Sequence, residues 1–349
     1  MTATDELRIE PTTYLAVVTE VLTNLGVTTE DAEIQARLLL EGDLHGHSSH
    51  GVRRLAVLVG RFRAGLITTG LGVGVDWCTP TFAAVDGRSG FGAVVAGEAV
   101  QLVTERAAST GMAFAAIRNA NHVGMLAPYI ERIAGGGQIG LALTTSEALV
   151  HPWGGSRAMV GTNPIGIAVP SAAEPLVLDM STASVSMGKI LDHKERGLEI
   201  PLGWAVDAAG TATTDPAAAS VGAISPFGGP KGYALGVALE ALVAALTGTA
   251  LGTAKTGTLD VTLPSTKGDV FVALDVERLG LTGSLEPLAA YFDELRGESV
   301  DPTRPVTIPG DRSRQLRAEL LEHGIPLHPK MWSEVMGLLH ETREELHHA

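Results

Sequence analysis

Five short apolar runs, Phe82–Val85, Ala113–Ile117, Ile139–Leu143, Ile165–Val169 and Val270–Leu274, set the tightest limit on what this chain can fold into. Each is too short for an ordinary helix and apolar at nearly every position, the pattern of strands buried on both faces. Helical stretches, notably Val94–Ala108 and Tyr129–Ala134, lie between some of them, so the middle of the chain reads as mixed α and β. The two ends read differently. Leu15, Val18, Leu22 and Leu25 recur at helical spacing, and Gly26 is placed to stop that helix. Thr28 and Asp31 predict a capping box ahead of Leu38, Leu39 and Leu40, and a third helical stretch covers Val52–Phe62. Helical spacing returns at Leu316, Leu320 and Leu321, then at Trp332, Val335, Leu338 and Leu339.

At 349 residues, with 45% apolar and 18% charged residues, the chain can bury a real core and is long enough for two subdomains. A net charge of −14 disfavours nucleic acid and anionic lipid as partners. Cys78 is the sole cysteine, which excludes an internal disulfide and a cysteine-rich zinc site and fits the reducing cytoplasm. The stretch Met1–Pro11 has two acidic residues before Arg8 and no apolar block, the opposite of an export signal. Gly232–Ala254 has nearly the length of a membrane span, but Glu240 would sit near mid-bilayer at about 3 kcal/mol. It therefore reads as a buried core or subunit-interface helix. Pro201–Asp215 reads as a surface excursion and Thr249–Gly268, rich in glycine and threonine, as a mobile linker.

Three segments could carry chemistry. Gly87-Arg88-Ser89-Gly90-Phe91-Gly92 is either a phosphate loop or a plain strand-to-helix turn; its spacing is not GxGxxG, and no acidic partner follows at the expected distance. Asp43–Leu55, DLHGHSSHGVRRL, gathers His45, His47, Ser48, Ser49, His50, Arg53 and Arg54. It admits a three-histidine metal site, a Ser–His hydrolase pair, an anion-binding acid/base loop or a solvated polar loop. Adjacent residues such as Ser49 and His50 are expected to point apart, whereas Arg54, one helical turn beyond His50, can share its face. In Arg118–Leu126, RNANHVGML, Asn119 and Asn121 look like helix caps and Pro128 suits a first turn. His122 would then lie near a helix N-terminus, as a neutral base or as a capping residue.

The order of SHGVRR, NHVG, HPWGG (His151–Gly155), GTNP (Gly161–Pro164), LDMST (Leu178–Thr182), GWAVD with TTDP (Gly203–Pro216) and GGPKGYALG (from Gly228) resembles the non-Rossmann malate/L-lactate dehydrogenase family. Ureidoglycolate dehydrogenases, sulfolactate dehydrogenases and cyclic-imine-2-carboxylate reductases are relatives. The resemblance runs from about Tyr14 to Trp332 and implies an α/β (mixed α+β) fold with a largely antiparallel mixed sheet binding NAD or NADP. An N-terminal helical segment, 1–75, would carry the active-site loop and pack with C-terminal helices, 300–349. The cofactor-binding sheet domain, 76–299, would include the interface helix 232–254 of a homodimer.

By position, the resemblance implies Ser49, His50 and Arg54 as the active-site loop and His122 as the acid/base histidine. It implies cofactor contacts at Ser146, Met180, Ser181, Thr182 and Lys231, and at Pro309, Gly310 and Arg312 in the C-terminal segment Ile308–Arg312. Two departures stand out: Leu58 replaces the tyrosine usual four residues beyond the loop arginine, and Thr145 replaces the asparagine before Ser146. The expected reaction is hydride transfer between a nicotinamide and a small 2-hydroxy or 2-oxo acid, or a cyclic 2-imino acid. Arg54 would hold the carboxylate through a bidentate fork, and His122, with His50 as second candidate, would move the proton. Thr162 and Asn163 of the GTNP turn would stand beside the substrate, and no metal is required. A member of the fold kept only for binding is the remaining alternative.

Overall fold

The structure, a computed structural model, describes residues 7–257, 259–301 and 303–348, so Met1–Glu6, with the acidic Asp5 and Glu6, lie outside it. It opens with strand β1 (Leu7–Ile9) and helices α1 (Pro11–Asn24), α2 (Thr29–Leu44) and α3 (Leu55–Arg63). Next come β2 (Gly74–Thr79), β3 (Phe82–Asp86), α4 (Gly92–Thr110), β4 (Met112–Arg118), α5 (Ala127–Gly135), β5 (Gln138–Thr144), β6 (Ile165–Val169) and β7 (Leu176–Met180). An outer lobe holds α6 (Met187–Glu195), β8 (Ala205–Val206), α7 (Pro216–Val221) and β9 (Ala223–Ile224). The chain ends with α8 (Pro230–Thr247), β10 (Asp269–Asp275), α9 (Leu285–Gly297), α10 (Asp311–His323), β11 (Ile325–Leu327) and α11 (Pro329–His348).

All five apolar runs are strands of one seven-stranded sheet, ordered β2-β3-β4-β10-β5-β6-β7. Only β3 and β4 pair in parallel; the other neighbours are antiparallel. Strand β10 shows why these runs lack polar alternation. Phe271 and Ala273 face the core under α4 and α5, while Val270 and Val272 pack on the opposite face against Val243 of α8. A second core joins the two ends of the chain: Tyr14, Val18 and Leu22 of α1 pack with Trp332, Val335 and Leu339 of α11. Pairing of β1 with β11 closes the same junction. The edge strands β2 and β7 escape the sequence reading because their side chains are mostly only partly buried or exposed.

Three expectations change. The predicted capping box is half formed: the Asp31 backbone N–H donates to Thr28 Oγ1 at 3.3 Å, but the Asp31 carboxylate accepts from Thr69 and Gly70 instead. Helix α8 stops at Thr247, because Gly248 turns left-handed at φ +67°, so the apolar helix is shorter than 232–254. Among the described residues no helix is long and apolar enough to cross a membrane. The segment read as a linker is instead strapped onto the sheet, with Lys255 and Lys267 both buried.

Glu240 fastens that strap. Its carboxylate accepts from Gly161 N at 3.0 Å, Asn163 Nδ2 at 2.7 Å and Gly252 N at 2.6 Å, and pairs with Lys255 Nζ at 2.7 Å. Burial alone would raise its pKa, but these four donors hold it below the usual carboxylate value. One side chain thus joins α8, the GTNP turn and the strap. Replacement Glu240→Ala strands Lys255 and three further donors, and should cost about 3–5 kcal/mol in urea unfolding; a loss below about 1 kcal/mol would contradict this role.

Candidate active site

The histidine loop is shaped by a buried carboxylate. Asp43, in the last turn of α2, accepts from Tyr14 Oη at 2.7 Å and from the Val52 N–H at 2.8 Å. Burial pushes its pKa up to about 6 against these two hydrogen bonds. Gly51 must lack a side chain here, since a Cβ would lie 1.9 Å from Asp43 Oδ1. Two single turns of tight helix, Ser48–His50 and Val52–Arg54, therefore fold back over α2. That fold overturns the expectation that Ser49 and His50 point apart: Ser49 Oγ lies 3.0 Å from His50 Nδ1. Arg54 Nε donates to the Ser49 carbonyl at 2.8 Å, which brings serine, histidine and arginine together.

His122 arrives from the other side, on the loop after β4. Asn121 holds that loop: its amide donates to the carbonyls of Leu66, Ser89 and Gly90, and its oxygen accepts from Arg61 Nε at 2.9 Å. Gly92, at the start of α4, allows the loop to approach, because a Cβ there would meet the His122 carbonyl oxygen at 2.1 Å. The His50 and His122 rings stack, with centroids 5.3 Å apart and planes at 28°. The Gly124 N–H donates to His122 Nδ1 at 3.1 Å, so in the neutral ring Nε2 carries the proton.

The helix-terminus argument for His122 does not survive. Helix α5 begins at Ala127, and the Leu126 and Ala127 N–H groups are taken by the Asp179 carboxylate at 2.7 and 2.9 Å, not by either asparagine. The His122 pKa still lies well below 6.5, but burial is the main cause, followed by the charges of Arg54, His50 and Lys267. His50 is pushed down to about 3 by burial, then by Arg54 and His47. The glycine-rich segment Gly87–Gly92 is a strand-to-helix turn. Its Gly87, Ser89 and Gly90 N–H groups bind the carbonyls of Arg118, Asn119 and Gly87, leaving none of these three for a phosphate.

Ser49, His50, Arg54 and His122 border a cavity of about 110 Å³, closed on the far side by Thr145, Ser146, Glu147, Thr162, Ser181 and Lys267. At Ser49 and Ser186 it meets a polar cleft of about 620 Å³ that carries His45, His47, Lys189, Pro309, Gly310 and Arg312. His45 Nδ1 bonds to the Glu41 carbonyl at 2.8 Å, and among the described residues no group of three His, Cys, Asp or Glu could hold a metal ion. Lys231 is exposed at the first turn of α8, and Met180 and Thr182 lie outside both spaces, Thr182 Oγ1 donating to the Thr162 carbonyl at 2.9 Å. Asn163 is fully buried and donates to Gly236 and Glu240, shaping the turn from behind; Thr162 faces the cavity.

Lys267, Glu147, Asp43 and Arg61 escaped the sequence reading. Lys267 and Asp269 form a fully buried pair, Nζ lying 2.5 Å from both carboxylate oxygens, inside the stretch whose glycines and threonines suggested a linker. Thr145 Oγ1 accepts from the Gly268 N–H at 3.1 Å and so ties β5 to that pair, while Leu58 is buried beside both histidines.

The chain's relatives make this fold and site those of an oxidoreductase. The chain belongs to the malate/L-lactate dehydrogenase family, whose model matches residues 9–336. It is 36% identical to L-sulfolactate dehydrogenase from Methanothermobacter thermautotrophicus, covering 96% of this chain and 97% of that one. It is 32% identical to Delta(1)-pyrroline-2-carboxylate reductase from Pseudomonas fluorescens, covering 92% and 95%. Its structure superimposes on a dehydrogenase from Sinorhizobium meliloti with a TM-score of 0.92 at 46% identity, over 96% of this chain and 99% of the other.

Because both ring pKa values are depressed, the native state keeps His50 and His122 neutral while the unfolded chain protonates them near 6.5. Folding stability is therefore lost as pH falls below about 6.5. Imidazole nitrogen NMR should show both rings neutral at about pH 6. A charged signal from either ring there would contradict the site electrostatics.

Proposed function

We propose that the chain interconverts a small 2-oxo acid and the corresponding 2-hydroxy acid with NAD or NADP. The observation that carries this reading is the stacked His50–His122 pair beside Arg54, at the inner end of a long polar cleft. The donor set fits an extended dinucleotide: Lys189 and Arg312 offer cations for its phosphates, Ser48 and Ser49 offer hydroxyls, and Ser146 and Ser181 line the inner cavity beyond the junction at Ser49 and Ser186. When bound, the nicotinamide supplies the hydride that reaches C2 of the substrate.

The protein's own groups do the rest. Arg54 binds the carboxylate and fixes C2 against the histidines. His122 presents Nε2–H to the 2-oxo oxygen, polarising it as a neutral donor, and the proton it gives to the new hydroxyl as the hydride arrives is replaced on the ring from solvent, which restores the neutral imidazole. His50, oriented by Ser49, closes the face of the His122 ring. A C=N bond in a cyclic imino acid presents the same demands, and the pyrroline-2-carboxylate reductase relative supports that second reading. Oxidation of reduced nicotinamide across a panel of 2-oxo acids is the direct test, and folded protein that turns over none of them with either cofactor would refute the proposal. His122→Ala should lower kcat by about 10²- to 10⁴-fold and leave cofactor Kd nearly unchanged; an equal loss in both would make His122 a structural residue.

We also propose that the chain works as a homodimer. Leu235, Val237 and Leu242 are exposed on α8, a helix whose charges are confined to Lys231 and the buried Glu240. Light scattering at micromolar concentration should give twice the chain mass; the mass of one chain would contradict this.

A further inference from the structure

Glu147 has no part in the chemistry above, yet it lines the inner cavity directly after Ser146. The charged groups acting in this region are Arg54, Arg61 and Lys267, against Glu147, Asp269 and Asp260, whose charge acts on Arg61. Three cations face three anions, so the region is already balanced before a substrate enters. Asp269 is committed to Lys267, with both oxygens on its ammonium. The charge of Glu147 acts on Arg54 and Arg61 together, and on Lys255 behind them, favouring the protonated form of each.

Arg61 is badly placed to take a second anion. Its Nε serves Asn121 and its Nη1 serves the carbonyls of Asp260 and Leu263. Among the described residues its remaining nitrogen, Nη2, has no hydrogen-bond partner, and the space beside it behind the histidines measures about 10 Å³. That is room for one water molecule, not for a carboxylate or sulfonate.

We propose that Glu147 is a specificity-determining residue, restricting reduction to 2-oxo acids that carry a single anionic group and excluding those with a second carboxylate or sulfonate on C3. The assignment rests on the redox reading given above. A monocarboxylate on Arg54 adds one negative charge to that balance, and reduced nicotinamide adds none from its ring. A dianion adds two to a recessed site with Glu147 on its wall, where, among the described residues, Lys267 is committed to Asp269 and Arg61 is held away from the second group. The preference therefore differs from that of the sulfolactate-named relative, whose named substrate bears a carboxylate and a sulfonate.

The test compares kcat/KM for pyruvate and 3-sulfopyruvate, which differ by the second anion. Wild-type protein should favour pyruvate by about tenfold or more. Glu147→Gln should shrink that ratio by about tenfold, while Glu147→Asp, which keeps the charge, preserves it. Equal kcat/KM in the wild type, or a ratio unchanged in the glutamine variant, would overturn the proposal. Calorimetric Kd values for lactate, with one charge, and malate, with a second carboxylate on C3, taken with reduced cofactor, read the same preference without turnover. If neither 2-oxo acid is reduced, the redox reading fails, and the two Kd values still decide the charge claim. Tighter lactate binding that Glu147→Gln equalises supports it; equal affinities in the wild type overturn it.

Discussion

The site depends on a carboxylate that never meets substrate. Asp43 is sealed beneath the end of α2, and its two hydrogen bonds, from Tyr14 Oη and the Val52 N–H, fix where the histidine loop must run. Tyr14 belongs to α1 and stacks on Trp332 of α11, so the loop is anchored to the core that joins both ends of the chain. The direction in which His50 and Arg54 point is therefore set by helix packing, remote from the cavity. Leaving such a carboxylate unpartnered costs several kcal/mol, which is why the loop takes one conformation and not many.

The opposite wall follows the same logic with different parts. Asn121 gives its amide to three backbone carbonyls and its oxygen to Arg61, and the absent side chain of Gly92 lets the His122 loop sit directly on α4. Two loops from separate layers are thereby held rigidly enough to stack their imidazoles. Burial, then the charge of Arg54 beside both rings, with His47 acting on His50 and Lys267 on His122, favours the uncharged form of each, and the Gly124 N–H decides which nitrogen of His122 bears the proton. On the proposed reading, preorganisation of this kind places the proton donor before the substrate arrives, so little reorganisation remains during the reaction.

Much of this was legible in the sequence, for reasons that also explain what was not. The strands buried on both faces announced themselves as unbroken apolar runs, and the ordered motifs pointed to the family and to the Ser49, His50, Arg54 and His122 loops. Edge strands β2 and β7 did not, because a strand exposed on one side and carrying Asp76 or Asp179 looks like a loop in one dimension. The strap 249–268 was misread because glycine and threonine suggest freedom, while Lys255 and Lys267 are immobilised by Glu240 and Asp269, partners that composition cannot reveal. Helix-cap reasoning failed at Asn119 and Asn121 because Asp179, far along the chain, caps α5 instead. Long-range pairing of polar groups is the information a single sequence hides most completely.

The central claim is that these two histidines and Arg54 assist direct hydride delivery to C2 of a small carboxylic acid. The most direct measurement uses reduced nicotinamide deuterated at C4 and mass spectrometry of the product formed from a 2-oxo acid. A product bearing one deuterium on C2, from one face of the nicotinamide only, is the predicted result. A 2-hydroxy acid product with no deuterium at C2, formed from cofactor labelled on either face, would contradict the account.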